Sequence, residues 1–194
     1  MTGAGPLGRN LVIGLIWAGM VTAPGAYTQP VNPEDGAAWS ARGAEITRPF
    51  KKELKAALMS AMADGPATAM EACRLQAPAI ARRLSAAGIE MGRSSHRLRN
   101  PENAPRDWVR PLLAEYVADP ARRAPRVVRL AINRIGYVEP ITIKPPCLTC
   151  HGTSVAPTVA AKIHLLYPQD QAMDFSPDEF RGLFWAEFPL EVHP

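Results

Sequence analysis

Cysteine and histidine are scarce in this chain, three and four among 194 residues. It has no internal repeat and no low-complexity tail, so one globular domain with irregular connections is the natural reading of its length. Its strongest apolar run, Leu11 to Met20 (LVIGLIWAGM), is too short to span a bilayer comfortably. No cysteine lies beside that run, which excludes a lipoprotein. Aromatic and basic residues are not interleaved, which argues against a nucleic-acid surface. What is plentiful is apolar residues, at 47%, and proline, with 20 copies. The first excludes wholesale disorder, and the second, about twice the average share, predicts many turns and short elements.

Residues 1–28 read as a separate object, a signal peptide. Arg9 supplies a positive start, the apolar run follows, and the small residues of VTAPGA offer a cleavage site near Ala23 to Ala26. A retained N-terminal anchor is the alternative. Either way the domain, residues 29–194, is expected outside the cytoplasmic membrane, in the periplasm. Net charge is +4, unevenly spread. Between Arg82 and Arg134 there are 12 arginines against 5 acidic residues, and from Ile135 onward 3 cations face 7 acids. The basic stretch is a solvated face, or it pairs with carboxylates of a cofactor or of an acidic partner.

Apolar residues at helical spacing (Ile46, Phe50, Leu54, Leu58, Met62) predict a helix over Ala37 to Met62, with Pro49 kinking or restarting it. A second helix is expected from Pro66 to Gln76 and a third from Pro78 to Ala87, closed by Gly88. Ile89 to Arg99 reads as a strand and Asp107 to Ala118 as an amphipathic helix. Val127 to Ile132 and Tyr137 to Ile143 suggest a hairpin. Ser154 to Leu166 reads as a helix. Leu183 to Val192 reads as a final strand, whose Pro189 implies an edge position or an early end. The pattern is α+β, helices first and a small antiparallel sheet later.

Residues 147–151 read Cys-Leu-Thr-Cys-His, the c-type haem attachment pattern. Two thiols three positions apart can each form a thioether to one haem vinyl group, and the adjacent histidine is then held against the iron. A redox dithiol would need a parallel-sheet context, and a zinc site a fourth ligand. The pattern occurs once, which predicts one covalently attached haem c and disfavours multihaem reductases and two-haem peroxidases. It also lies far from the N-terminus, unlike its place in small electron-carrier cytochromes. Cys73 is left over. It shares a helical face with Ala69, Met70 and Ala77, so its thiol should point inward. Iron ligation, an inert core thiol and an intermolecular disulfide all remain open for it. Met70, Met91, Met173, His96 and His164 are the rival ligands.

Four blocks taken together resemble a known family: EACRLQAPAIA (71–81), GIEMGRSSHRLRNPENAPRDW (88–108), EPITIKPPCLTCHG (139–152) and YPQDQAMDFSPDEFRGLFWAEFPL (167–190). They resemble the PAS-like c-type haem domains, which occur alone or as the outer sensor domain of bacterial histidine kinases. The resemblance implies a PAS-like antiparallel sheet flanked by N-terminal helices. It also implies His151 and Cys73 as the two axial ligands, the latter from the C-x-x-x-A-P block. Pro49, His96 and Met173 depart from the family pattern. A thiolate opposite imidazole lowers the iron potential. The expected function is therefore redox or diatomic-gas (NO/CO) sensing, with low-potential electron transfer or an accessory role in a redox complex as the alternative. An enzyme is not expected, because Cys73 would fill the open iron position that catalysis needs. Expected partners are a redox protein or a membrane signalling protein, not nucleic acid.

Overall fold

Ile46, Phe50 and Leu54 recur one helical turn apart, and all three are buried on the first helix, α1 (Pro33–Ala63). Pro49 lies inside it, yet the helix runs on without a restart. An interior proline costs about 3 kcal/mol, and burying side chains such as these gains about 1.5–3 kcal/mol each, so packing wins. Gly65, at φ 101°, turns the chain in a conformation that favours glycine, and Pro66 opens α2 (Pro66–Leu84). The two helices expected on either side of Gln76 are one. The buried residues Ala69, Met70, Ala77 and Ile80 form a single stripe across Pro78, and that stripe holds the helix together. The computed structural model describes residues 1–3, 29–119 and 121–190. The signal-or-anchor reading of residues 1–28 therefore falls almost wholly outside the described residues.

Among the described residues five antiparallel strands form the sheet: β1 (Gln29–Pro30), β2 (Glu90–Ser94), β3 (Arg126–Ala131), β4 (Arg134–Thr142) and β5 (Phe180–Pro189). Their order is β1-β3-β4-β5-β2. The expected hairpin is β3–β4, with Val128 opposite Gly136. Two expectations need correction. The strand at 89–99 stops at Ser94, because the Ser95 hydroxyl accepts the Arg97 N–H at 3.1 Å and bends the chain away. The last strand is not at an edge but lies between β4 and β2, and Pro189 marks its end.

Alternation along the strands sorts side chains onto two faces. Ile135 and Tyr137 of β4 and Ala186 and Phe188 of β5 pack under α1 and α2 with Phe50, Leu54 and Ile80. Val138, Leu183 and Trp185 point the other way, against Val109, Leu112, Leu113 and Tyr116 of α3 (Val109–Ala118). The fold class is the expected α+β. Beyond β4, Ile143 continues the pairing with β5 through Ile143 N–H to Glu179 O (2.9 Å) and Asp178 N–H to Ile143 O (2.8 Å). The Cys-x-x-Cys-His segment thus grows directly from the end of a central strand. Two short helices complete the fold, α4 (Leu148–His151) and α5 (Pro157–Leu166).

Candidate functional site

Pro145–Cys147 forms a tight turn that leads into α4, and Gly152 closes it by donating to Leu148 O at 3.0 Å. A Cβ on Gly152 would lie 2.8 Å from that carbonyl, so glycine is needed after the histidine. A loop between α5 and β5 clasps the segment from below. Phe175 N–H donates to His151 O at 2.9 Å, and His151 Nδ1 lies 2.7 Å from Ala172 O. A carbonyl only accepts, so Nδ1 carries the hydrogen and Nε2 keeps its lone pair. Burial, reinforced by Arg99 and Arg181, holds the imidazole neutral with a pKa pushed down to about 3. This is how a histidine that binds metal through Nε2 is prepared.

Cys150 packs on an apolar wall made by Met70, Val159 and Ile163, with Val155, Leu166 and Met173 at its margin. Cys147 packs against Ile143, Ala172 and Phe175. Cys73 reaches the same region from α2. Its thiol is pushed up by burial, while Arg93 and Arg99 pull the other way. Burial also raises the Cys150 thiol, with Arg99 opposing and the Cys73 and Cys147 charges adding to the rise. Cys73 and Cys150, far apart in sequence, are therefore electrostatic neighbours. None of the three cysteines is bridged. Among the described residues no three His, Cys, Asp or Glu side chains gather as a bare-ion site.

The sequence profile of the Tll0287-like family matches residues 28–189. The chain belongs to the Tll0287-like family. Among solved structures it is similar to the crystal structure of the cyanobacterial haem-protein Tll0287, with a TM-score of 0.56 at 20% identity, covering 84% of this chain and 100% of that one. That likeness is one of fold. No curated protein matches. The membership agrees with the resemblance read from the four sequence blocks.

In this Tll0287-like domain the candidate residues Cys73, Cys147, Cys150 and His151 fall together, and the rivals divide. Met70 and Met173 share the apolar wall with Cys150, whereas Met91 is buried between the sheet and the first two helices. His164 is exposed on α5, and His96 stacks on Phe180 with ring centroids 5.7 Å apart. Sequence reasoning did not single out Arg99 and Asp170, which frame the site. Arg99 grips Asp170 through two nitrogens at 3.2 and 3.0 Å and donates to Cys150 O at 2.6 Å and Ala172 O at 3.1 Å. Asp170 in turn accepts the Ala172 N–H at 2.9 Å. Arg99 stood unremarked in a basic stretch, and Asp170 among seven scattered acids. An open groove between α1 and α2, lined by Glu53, Asp64, Glu71 and Leu75, involves none of the candidate residues.

The residues fit a c-type haem. They offer two free thiols three positions apart, a neutral imidazole with Nε2 available, a third thiol from α2, an apolar wall and a surplus of arginine.

Proposed function

We propose that this chain carries one haem c, attached through Cys147 and Cys150 and ligated by His151 and Cys73, and works in the periplasm as a redox or diatomic-gas (NO/CO) sensor rather than as an enzyme. The observation that supports it most is the His151 to Ala172 hydrogen bond, which leaves the imidazole neutral and aims its free nitrogen. Membership of the Tll0287-like family, and a fold shared with a protein described as a haem-protein, support the cofactor. The bound group would supply an iron that exchanges one electron and takes a diatomic ligand when an axial place is vacant. The chain's own residues do the rest. Cys147 and Cys150 sit one turn apart, so both thiols serve one edge of the group. The 167–178 loop fixes His151, and α2 brings Cys73 from another element.

Anchoring differs between the two residues that would hold the iron. His151 is held by a loop and through it by the Arg99–Asp170 pair, while no hydrogen bond to the Cys73 thiol exists among the described residues. Cys73 is therefore the ligand free to depart. A Cys73 that let go would do so as a thiol, taking one proton from solvent, and the site would then be open to a gas. A low-potential electron carrier is the second reading, supported by the rigid frame around the Cys-His segment. It requires Cys73 to stay bound in both oxidation states.

Spectra of the purified protein, ferric and then dithionite-reduced, test this. The colour should remain with the protein after acid-acetone extraction, and denaturing mass spectrometry should show one haem added. The ferric protein should be low-spin with thiolate charge-transfer bands. Cys73→Ala should raise the potential and yield high-spin or water-bound iron. A low-spin spectrum unchanged in Cys73→Ala would reject that ligand. CO binding by the reduced parent supports a sensor, and its absence a carrier.

A further inference from the structure

Three guanidinium groups converge on the site, and among the described residues only one of the three is paired with an acid. Arg99 sits on the Cys150 carbonyl and is paired with Asp170, whose side chain is 6% exposed. Arg181, from β5, lies 5.2 Å from the centre of the Phe175 ring, and that ring meets His151 edge-on at 6.2 Å. Its terminal nitrogen donates to Ser95 Oγ at 2.5 Å and Arg97 O at 3.1 Å, both neutral. Arg93, two residues on from Met91, shares its face of β2 and so faces α2, where Cys73 is its strongest electrostatic partner. Among the described residues Arg93 makes neither an ion pair nor a side-chain hydrogen bond, and Arg181 meets no carboxylate within ion-pair distance. Both are half-buried.

A guanidinium does not shed its proton to escape such a setting, so a partly desolvated one calls for an anion. Burial lowers the pKa of both groups, that of Arg181 to about 9, which shows how poorly the chain itself supports their charge. Arg97 is different, since it has Glu179 at 3.5 Å. Among the described residues the cluster is thus left with two positive charges and no carboxylate partner, beside a site read as holding a group that bears two carboxylates.

We infer that Arg93 and Arg181 are the residues that hold the two propionate carboxylates of the haem. The inference rests on the haem reading above. Guanidinium matches carboxylate with two parallel N–H donors, and two strands of one sheet give both donors a rigid mounting. Arg99 is already engaged and positions the Cys-His segment instead.

The test uses the haem-loaded protein and its Arg93→Gln, Arg181→Gln, Arg93→Lys and Arg181→Lys variants. Midpoint potential and the resonance Raman propionate bending bands are the readouts. Each glutamine variant leaves a propionate charge unopposed, which favours ferric iron. The expected shift is about tenfold in the ferric–ferrous equilibrium, about 59 mV downward for one electron. The bending band should move as well. Lysine should keep most of the potential but move the band, because it keeps the charge and loses the fork. Arg129→Gln, on the β3–β4 hairpin, removes the same charge and should change neither readout. Unchanged potential and band in both glutamine variants, with one haem still attached, overturn this inference alone. A parent protein without covalent haem overturns the haem reading instead. If a glutamine variant does not fold, its lysine counterpart decides, and an unmoved band there refutes the assignment.

Discussion

Replacing Asp170 by alanine should cost far more than its one ion pair suggests. The Arg99 and Asp170 side chains are only 12% and 6% exposed, and two nitrogens meet two oxygens. Removing the carboxylate leaves the Arg99 charge buried without compensation, a loss of about 3–5 kcal/mol. The Ala172 N–H loses its acceptor too, adding about 1 kcal/mol. A surface pair is the control: Lys144 and Asp178 are 61% and 76% exposed, so Lys144→Ala should leave stability where it was. Urea denaturation followed by circular dichroism reads both. With a slope of about 1–3 kcal/mol per molar, Asp170→Ala should lower the midpoint by at least about 1 M. Hydrogen exchange adds the local test, since the Gly152 and Phe175 amides should lose protection as the clasp loosens. Asp170→Ala matching the parent in stability, or no worse than Lys144→Ala, would refute the reasoning.

Gly43→Ala should destabilise despite the helix propensity it gains. Its Cβ would fall 2.2 Å from Tyr137 Cγ in the core, at about 1–3 kcal/mol, while Gly36→Ala on the same helix meets nothing within 4 Å and should gain about 0.5–1 kcal/mol. Tyr116 donates its hydroxyl to Ala124 O, and burial pushes its pKa from 10.0 up to about 12. Its contribution is complete below pH 10 and fades as pH rises from there to about 12, so Tyr116→Phe should show a shallower alkaline loss in denaturant titrations. N-terminal sequencing of the mature protein should begin between Pro24 and Val31, and an intact Met1 in a membrane fraction would favour the anchor. The arginine-rich stretch should not bind DNA tightly at physiological salt, as an electrophoretic shift assay can check.

Cys147, Cys150 and His151 were legible as candidates because haem attachment requires a fixed local spacing. The β3–β4 hairpin and α3 were legible for a related reason, since apolar period and turn residues speak within a few positions. Reading failed where distant packing decided. Pro49 and Pro78 look like helix breaks, but the stripes through Phe50 and Ile80 carry both helices past them. Pro189 suggested an edge or an early end; the strand does end there, and only the full sheet order shows β5 to be interior. The anchor of His151 is a backbone carbonyl, Ala172 O, and no residue type announces it. Arg181 is one of three cations in an acidic stretch, and only the fold sets it beside Phe175.

The interior place of β5 also sets an order of assembly. Among the described strands β2 pairs only with β5, Glu90 lying opposite Glu187, and β4 pairs with β5 along most of its length. A chain delivered N-terminus first, from a ribosome or through a membrane pore, has β2 without its partner until Phe180–Pro189 arrives, although β1 and α1 can already meet β3 and β4. Such long-range closure is slow compared with helix formation. During that interval Cys147, Cys150 and His151 lie on open chain, within reach of the machinery that would modify them. Once β5 inserts, the loop that carries Ala172 and Phe175 is fixed against His151, so the proposed haem attachment would fall before that closure, and folding itself would supply the lock.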